Sequence, residues 1–173
     1  MIEVLVTIVV MSVALLGVAK MQAAAVSNTQ ISRVRSLIAL QSDSLASMMH
    51  GNRGYWAAGV APTTFTVTGS GAANITDSTG VLNATLSATA CSSGACTPQQ
   101  LAAWDVQDWQ TSMNASFPTY SATVNCNNTA GLPVSCNITV TWSEKYIAVN
   151  TTTAASAASA SATAQTYTLY VEP

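Results

Sequence analysis

Charge is what this chain has least of: only 7% of its 173 residues are Asp, Glu, Lys or Arg, against about 25% in ordinary soluble domains. Two Lys and three Glu are too few to solvate a surface in the usual way, so its polar surface must be made of hydroxyls and amides. Five Lys and Arg in all, for a net charge of −2, argue against the large, clustered basic footprint of a dedicated nucleic-acid binder and leave room only for weak contact through a few residues. A single histidine, His50, leaves no imidazole cluster for a metal and no His-based nucleophilic triad. The GxSxG, P-loop, GxGxxG and HExxH patterns are all missing. An enzyme is therefore not expected, nor a cofactor, nor a small-molecule substrate. No proline interrupts residues 1–50, so nothing local breaks a helix there.

What is present is apolar residues at 49%, together with 20 Ser and 23 Thr. Residues 1–19, MIEVLVTIVVMSVALLGVA, are apolar or small except for Glu3 and the mildly polar Thr7 and Ser12. As a helix this run spans about 28 Å, close to the hydrocarbon thickness of a bilayer. A secretory signal would carry basic residues ahead of the run and a small-residue cleavage site behind it, and neither occurs. The helical pattern instead continues. Ile31, Val34, Ile38, Leu45, Met48 and Met49 recur at helical spacing, with Arg33, Arg35, Ser36, Gln41 and Asp43 on other faces. The expectation is one helix over 1–50, with 1–19 a transmembrane or filament-core segment and 20–50 amphipathic. Gly51 and Gly54 end it.

Residues 51–173 read as a β-rich globular head. Strands are expected at 63–68, 81–89, 120–125, 137–142 and 166–171, from β-branched residues in alternation. Runs 69–80 and 127–133 read as loops, and the low-complexity tract TTTAASAASASATA (151–164) as a flexible connection. A second helix is expected from Pro98, capped by Thr97, with Ala102, Val106, Trp109 and Met113 as its buried stripe. Asp105 and Asp108 on that helix read as a solvated face. Cys91, Cys96, Cys126 and Cys136 form two sequence-local pairs, which points to disulfides in an oxidising compartment. Four cysteines allow three connectivities, and spacing alone leaves them open. Six Asn-X-Ser/Thr sequons are expected by chance in a chain so rich in Ser and Thr. The fold class expected is α+β: a long N-terminal helix packed on an antiparallel sheet, with a second short helix.

The start Ile2-Glu3-Val4-Leu5-Val6 resembles the beginning of mature type IV pilins and pseudopilins. SVALLGVAKMQ (12–22), SMMHGNRGYW (47–56), the Cys91/Cys96 pair followed by LAAWDVQDWQ (101–110), and NITVTWSEK (137–145) resemble the PilV type of minor pilin. The resemblance implies a structural subunit that helps initiate a pilus or sits near its tip. It also implies a precursor cut by a prepilin peptidase, with an N-methylated residue two places ahead of Met1. Its partners would be major and minor pilins and the inner-membrane assembly platform. Its place would be the inner membrane, head in the periplasm, and then the pilus at the cell surface. Glu3 matches the family glutamate that recruits the neighbouring subunit, and adhesion and twitching motility are the activities implied. Lys20 stands about where many major pilins have a kinking proline, which leaves Gly17 as the nearest flexible point. Two other readings compete: a major pilin or type II secretion pseudopilin, and a tip adhesin or DNA-contacting module using Arg33, Arg35 and Arg53.

Overall fold

The computed structural model describes residues 2–86, 91, 94–144 and 163–173. Within them the chain is α+β. Helix α1 (Ile2–Gly51) is followed by the single turn α2 (Arg53–Trp56), strands β1 (Thr64–Thr68) and β2 (Ile75–Asp77), helix α3 (Pro98–Ser116), and strands β3 (Ser121–Asn127), β4 (Ser135–Glu144) and β5 (Thr163–Val171). The strands form one antiparallel sheet in the order β2-β1-β3-β4-β5. A long apolar N-terminal helix, an antiparallel sheet and a disulfide-closed hairpin together make the element content pilin-like.

The chain forms two compact units. One comprises Met1–Ser36 and Glu144–Thr163, and the other Leu37–Ser143 and Ala164–Pro173. The division falls inside α1, so the helix residues from Leu37 onward belong with the sheet.

In the β-rich unit, alternation along the strands sorts side chains by face. Phe65 and Val67 of β1, Ala122, Val124 and Cys126 of β3, and Cys136, Ile138, Val140 and Trp142 of β4 are all buried. Register aligns them across the sheet: Phe65 opposite Val124, and Val124 opposite Ile138. Ile38, Leu45 and Met49 of α1 and Ala102, Val106, Trp109 and Met113 of α3 are buried in the same unit. Burying such side chains contributes about 1.5–3 kcal/mol each. On the other face, threonines fall into a row. Thr76 pairs with Thr66, Thr66 with Thr123, and Thr123 with Thr139, and the Thr139 and Thr168 hydroxyls lie 3.5 Å apart. Hydroxyl groups thus cover the sheet where charged side chains would ordinarily do so.

Helix α3 starts where its sequence places it. Thr97 caps it: its hydroxyl accepts from Gln100 N, and the Gln100 side chain accepts from Thr97 N, a reciprocal capping box. The Trp109 indole N–H donates to the Gln41 carbonyl of α1 at 2.8 Å. Gln110, fully buried, donates to the carbonyls of Thr68 and Gly71, and Gln107 to those of Leu82 and Ala84. Gly54 lies close to Pro98 at the start of α3. A Cβ there would stand 3.3 Å from the proline ring.

Two sequence expectations are corrected. The strand expected over 81–89 is absent from its described part, residues 81–86. The cause is Asp77, whose buried carboxylate accepts from the backbone N–H groups of Thr79, Val81 and Leu82. These bonds fold the chain through a turn at Gly80, φ 72°, and take the donors a strand ladder would need. Conversely, the run 69–80 expected as a loop contains a 3₁₀ turn (Ala72–Asn74) and the short strand β2. Residues 87–89, Asn150 and the low-complexity tract up to residue 162 lie outside the described residues.

Candidate functional site

The N-terminal half of α1 is the part of this molecule least explained by its own fold. Ile2, Val4, Leu5, Val6, Ile8, Val9, Val10, Met11, Val13, Leu15, Leu16 and Val18 are each more than half exposed. Soluble monomers rarely leave a contiguous apolar surface of more than a few hundred Å² uncovered. The helix is long and apolar enough to cross a membrane, with mean hydropathy 2.5 in its most apolar stretch and none of that stretch buried. Its few polar groups are turned inward on the backbone. Thr7 donates to the Val4 carbonyl and Ser12 to that of Ile8, so neither hydroxyl demands water or a partner.

Two charges mark this segment. Glu3 lies in the first helical turn, where the unpaired backbone N–H groups favour an acid. The next charge is Lys20, and both side chains are exposed. Seventeen residues separate them, about 25 Å along the axis, slightly less than a bilayer's hydrocarbon thickness of about 30 Å. A helix crossing a membrane can therefore keep both charges near the headgroups.

In the same compact unit, Arg35 of α1 meets Glu144 at the end of β4. Arg35 Nε lies 3.0 Å from Glu144 Oε1, and Nη2 2.8 Å from Oε2. The carboxylate is buried and the guanidinium about half exposed. Nothing in the sequence signals this pair, whose members are 109 residues apart. It engages Arg35 in a contact within its own compact unit.

The disulfides join Cys91 to Cys96 and Cys126 to Cys136. The second pair stands directly opposed in the β3–β4 ladder and closes the hairpin loop between those strands. Asp108 is exposed, while Asp105 is half-buried. Burial first, and the neighbouring Asp108 charge second, push the Asp105 carboxyl up to about 6. Among the described residues no group of three or more acidic, histidine or cysteine side chains, here or elsewhere, could hold a metal ion. A cavity of about 210 Å³ lies beside Asp108, lined also by Leu86, Trp104, Gln107 and Thr111. His50 is exposed at the end of α1.

The site that stands out is thus the exposed apolar helix with Glu3 at one end and Lys20 at the other. It is an element suited to lipid or to packed helices. Compared with protein-family models, with curated proteins and with solved structures, the chain matches none of them.

Proposed function

We propose that this chain is a structural subunit of a type IV pilus, a minor pilin that helps initiate assembly or sits near the filament tip. The observation that carries the reading is the uncovered apolar helix with an acid in its first turn. Held in the inner membrane, the helix has lipid around it. In a filament it exchanges lipid for neighbouring helices, and no reacting group is needed. The head, on the periplasmic side, is stiffened by two disulfides, which suits an oxidising compartment, and carries a largely uncharged hydroxyl surface. The motifs at 12–22, 47–56, 101–110 and 137–145 favour the PilV-like subtype over a major pilin or a pseudopilin.

Glu3 is the assembly residue on this reading. Replacing it with alanine removes a costly charge from an apolar helix, so membrane insertion persists. Incorporation into filaments falls, because the counter-charge on the neighbouring subunit loses its partner. Fractionation of Glu3→Ala cells into membrane and sheared filaments tests this, and normal incorporation of the variant sinks the role given to Glu3.

A further inference from the structure

The cavity of about 210 Å³ on α3 is lined by Trp104, Gln107, Asp108 and Thr111, together with Leu86. The four helix residues stand at i, i+3, i+4 and i+7, so they share one face of α3. That face is turned away from the buried stripe of Ala102, Val106, Trp109 and Met113. The core therefore does not account for Trp104, which stays half-buried. Gln107 holds the cavity together. Its side-chain nitrogen donates to the Leu82 and Ala84 carbonyls, each at 2.9 Å, and so keeps the segment leading to Leu86 against the helix.

The same bonds decide the polarity of the lining. Both N–H groups of the Gln107 amide are engaged, and the Thr111 hydroxyl donates to the Gln107 carbonyl at 2.9 Å. The lining side chains are left with acceptors: Gln107 Oε1, a lone pair on Thr111 and the exposed Asp108 carboxylate. The Trp104 indole N–H is the one donor left among them. Helix α3 contains no Lys or Arg, and among the described residues no ion pair holds Asp105 or Asp108. Such a lining repels an anion. Sugar hydroxyls, which both donate and accept, would find a single donor. A cation with several N–H groups finds acceptors, a negative charge and an aromatic ring together. The volume is below the roughly 300–1,000 Å³ of pockets that enclose whole small molecules, which suits one side chain.

We infer that this cavity receives an arginine side chain of a partner protein, its planar guanidinium against Trp104 and its N–H groups donating to the Asp108 carboxylate and Gln107 Oε1. Arginine fits better than lysine because a guanidinium stacks on a ring and forks onto a carboxylate, whereas an ammonium is a strongly hydrated point charge. All five lining residues belong to the β-rich unit. The contact is thus a surface of the head, separate from the role given to α1, and it stands whether or not the chain enters a filament.

The test is a titration of the isotope-labelled full chain, in uncharged detergent micelles, with N-acetyl-argininamide. The probe is taken into the millimolar range, where a ligand of this size binds. NMR follows the Thr111 amide and the Trp104 indole signal, the latter assigned by its loss in Trp104→Phe. Both signals shift saturably, and N-acetyl-citrullinamide, the neutral isostere, leaves them in place. Asp108→Asn, which keeps the shape of an exposed side chain, weakens binding about fivefold, and Trp104→Ala weakens it about two- to fivefold. No saturable shift, equal binding of the citrulline probe, or unchanged binding in Asp108→Asn overturns the inference. Methyl glucoside that saturates the same signals where the arginine probe does not assigns the cavity to a neutral sugar and overturns it as well.

Discussion

Arg35 grips the buried Glu144 carboxylate with two parallel hydrogen bonds, 3.0 and 2.8 Å long. The Glu144 side chain is only 3% exposed, so the pair fixes one point on α1 to the end of β4 by charge as well as by shape. Removing the arginine takes two charge-assisted hydrogen bonds away from a buried carboxylate. Arg35→Met is expected to cost about 3 kcal/mol, the lower end of the range for breaking a buried pair, because the guanidinium is itself half exposed. Denaturant unfolding of the full chain in detergent checks it. A double variant, Arg35→Met with Glu144→Gln, should recover part of the loss.

The Asp77 turn makes a second prediction. One carboxylate satisfies three backbone donors and the Thr79 hydroxyl. Asp77→Ala should cost about 2–3 kcal/mol, and Asp77→Asn less, since the amide keeps one acceptor. Amide hydrogen exchange at Thr79, Val81 and Leu82 should quicken in the alanine variant before global unfolding does.

Asp105 predicts a pH dependence whose sign follows from burial. Its folded value, about 6, lies above the ordinary carboxylate value of 3.8, so the folded state holds the proton more tightly than the unfolded chain. The stabilisation is fully present below pH 3.8 and is lost as pH rises through about 6. Asp105→Asn should therefore stabilise the protein at pH 7 by about 1 kcal/mol, after discounting for the group's partial exposure. It should also flatten the stability profile between pH 4 and pH 6. Chemical unfolding at a series of pH values checks both.

Loss of the Cys126–Cys136 bridge, which closes a short loop ten residues in separation, should cost about 2–3 kcal/mol. Thermal unfolding of Cys126→Ser with Cys136→Ser, compared with the oxidised parent, measures it.

Much of this architecture is legible in the sequence because it rests on periodicity. The α1 stripe reads from helical spacing down to Met49, and α3 from its Thr97–Pro98 start and its Ala102–Met113 stripe. The strands with strong alternation, β1, β3, β4 and β5, stand within a few residues of where Thr and Val place them. Where local signals and long-range contacts compete, the reading fails. Val81-Leu82 has strand-like composition, but a carboxylate four and five residues upstream takes its amides. Strand β2 is three residues long, flanked by Asn74 and Ser78, and forms only because β1 pairs with it. The Arg35–Glu144 pair joins residues far apart in sequence, which no local pattern reports. The candidate site was legible for a different reason. A charge in an apolar helix is rare enough that Glu3 draws notice by itself, and Lys20 gains meaning only when its helical distance from Glu3 is counted.

The central claim is that this chain is a filament subunit, and calibrated mass spectrometry of sheared pili beside the membrane fraction tests it most directly. The account predicts the chain in both fractions, at a small fraction of the abundance of the main subunit in pili. A chain confined to the membrane and absent from pili contradicts it.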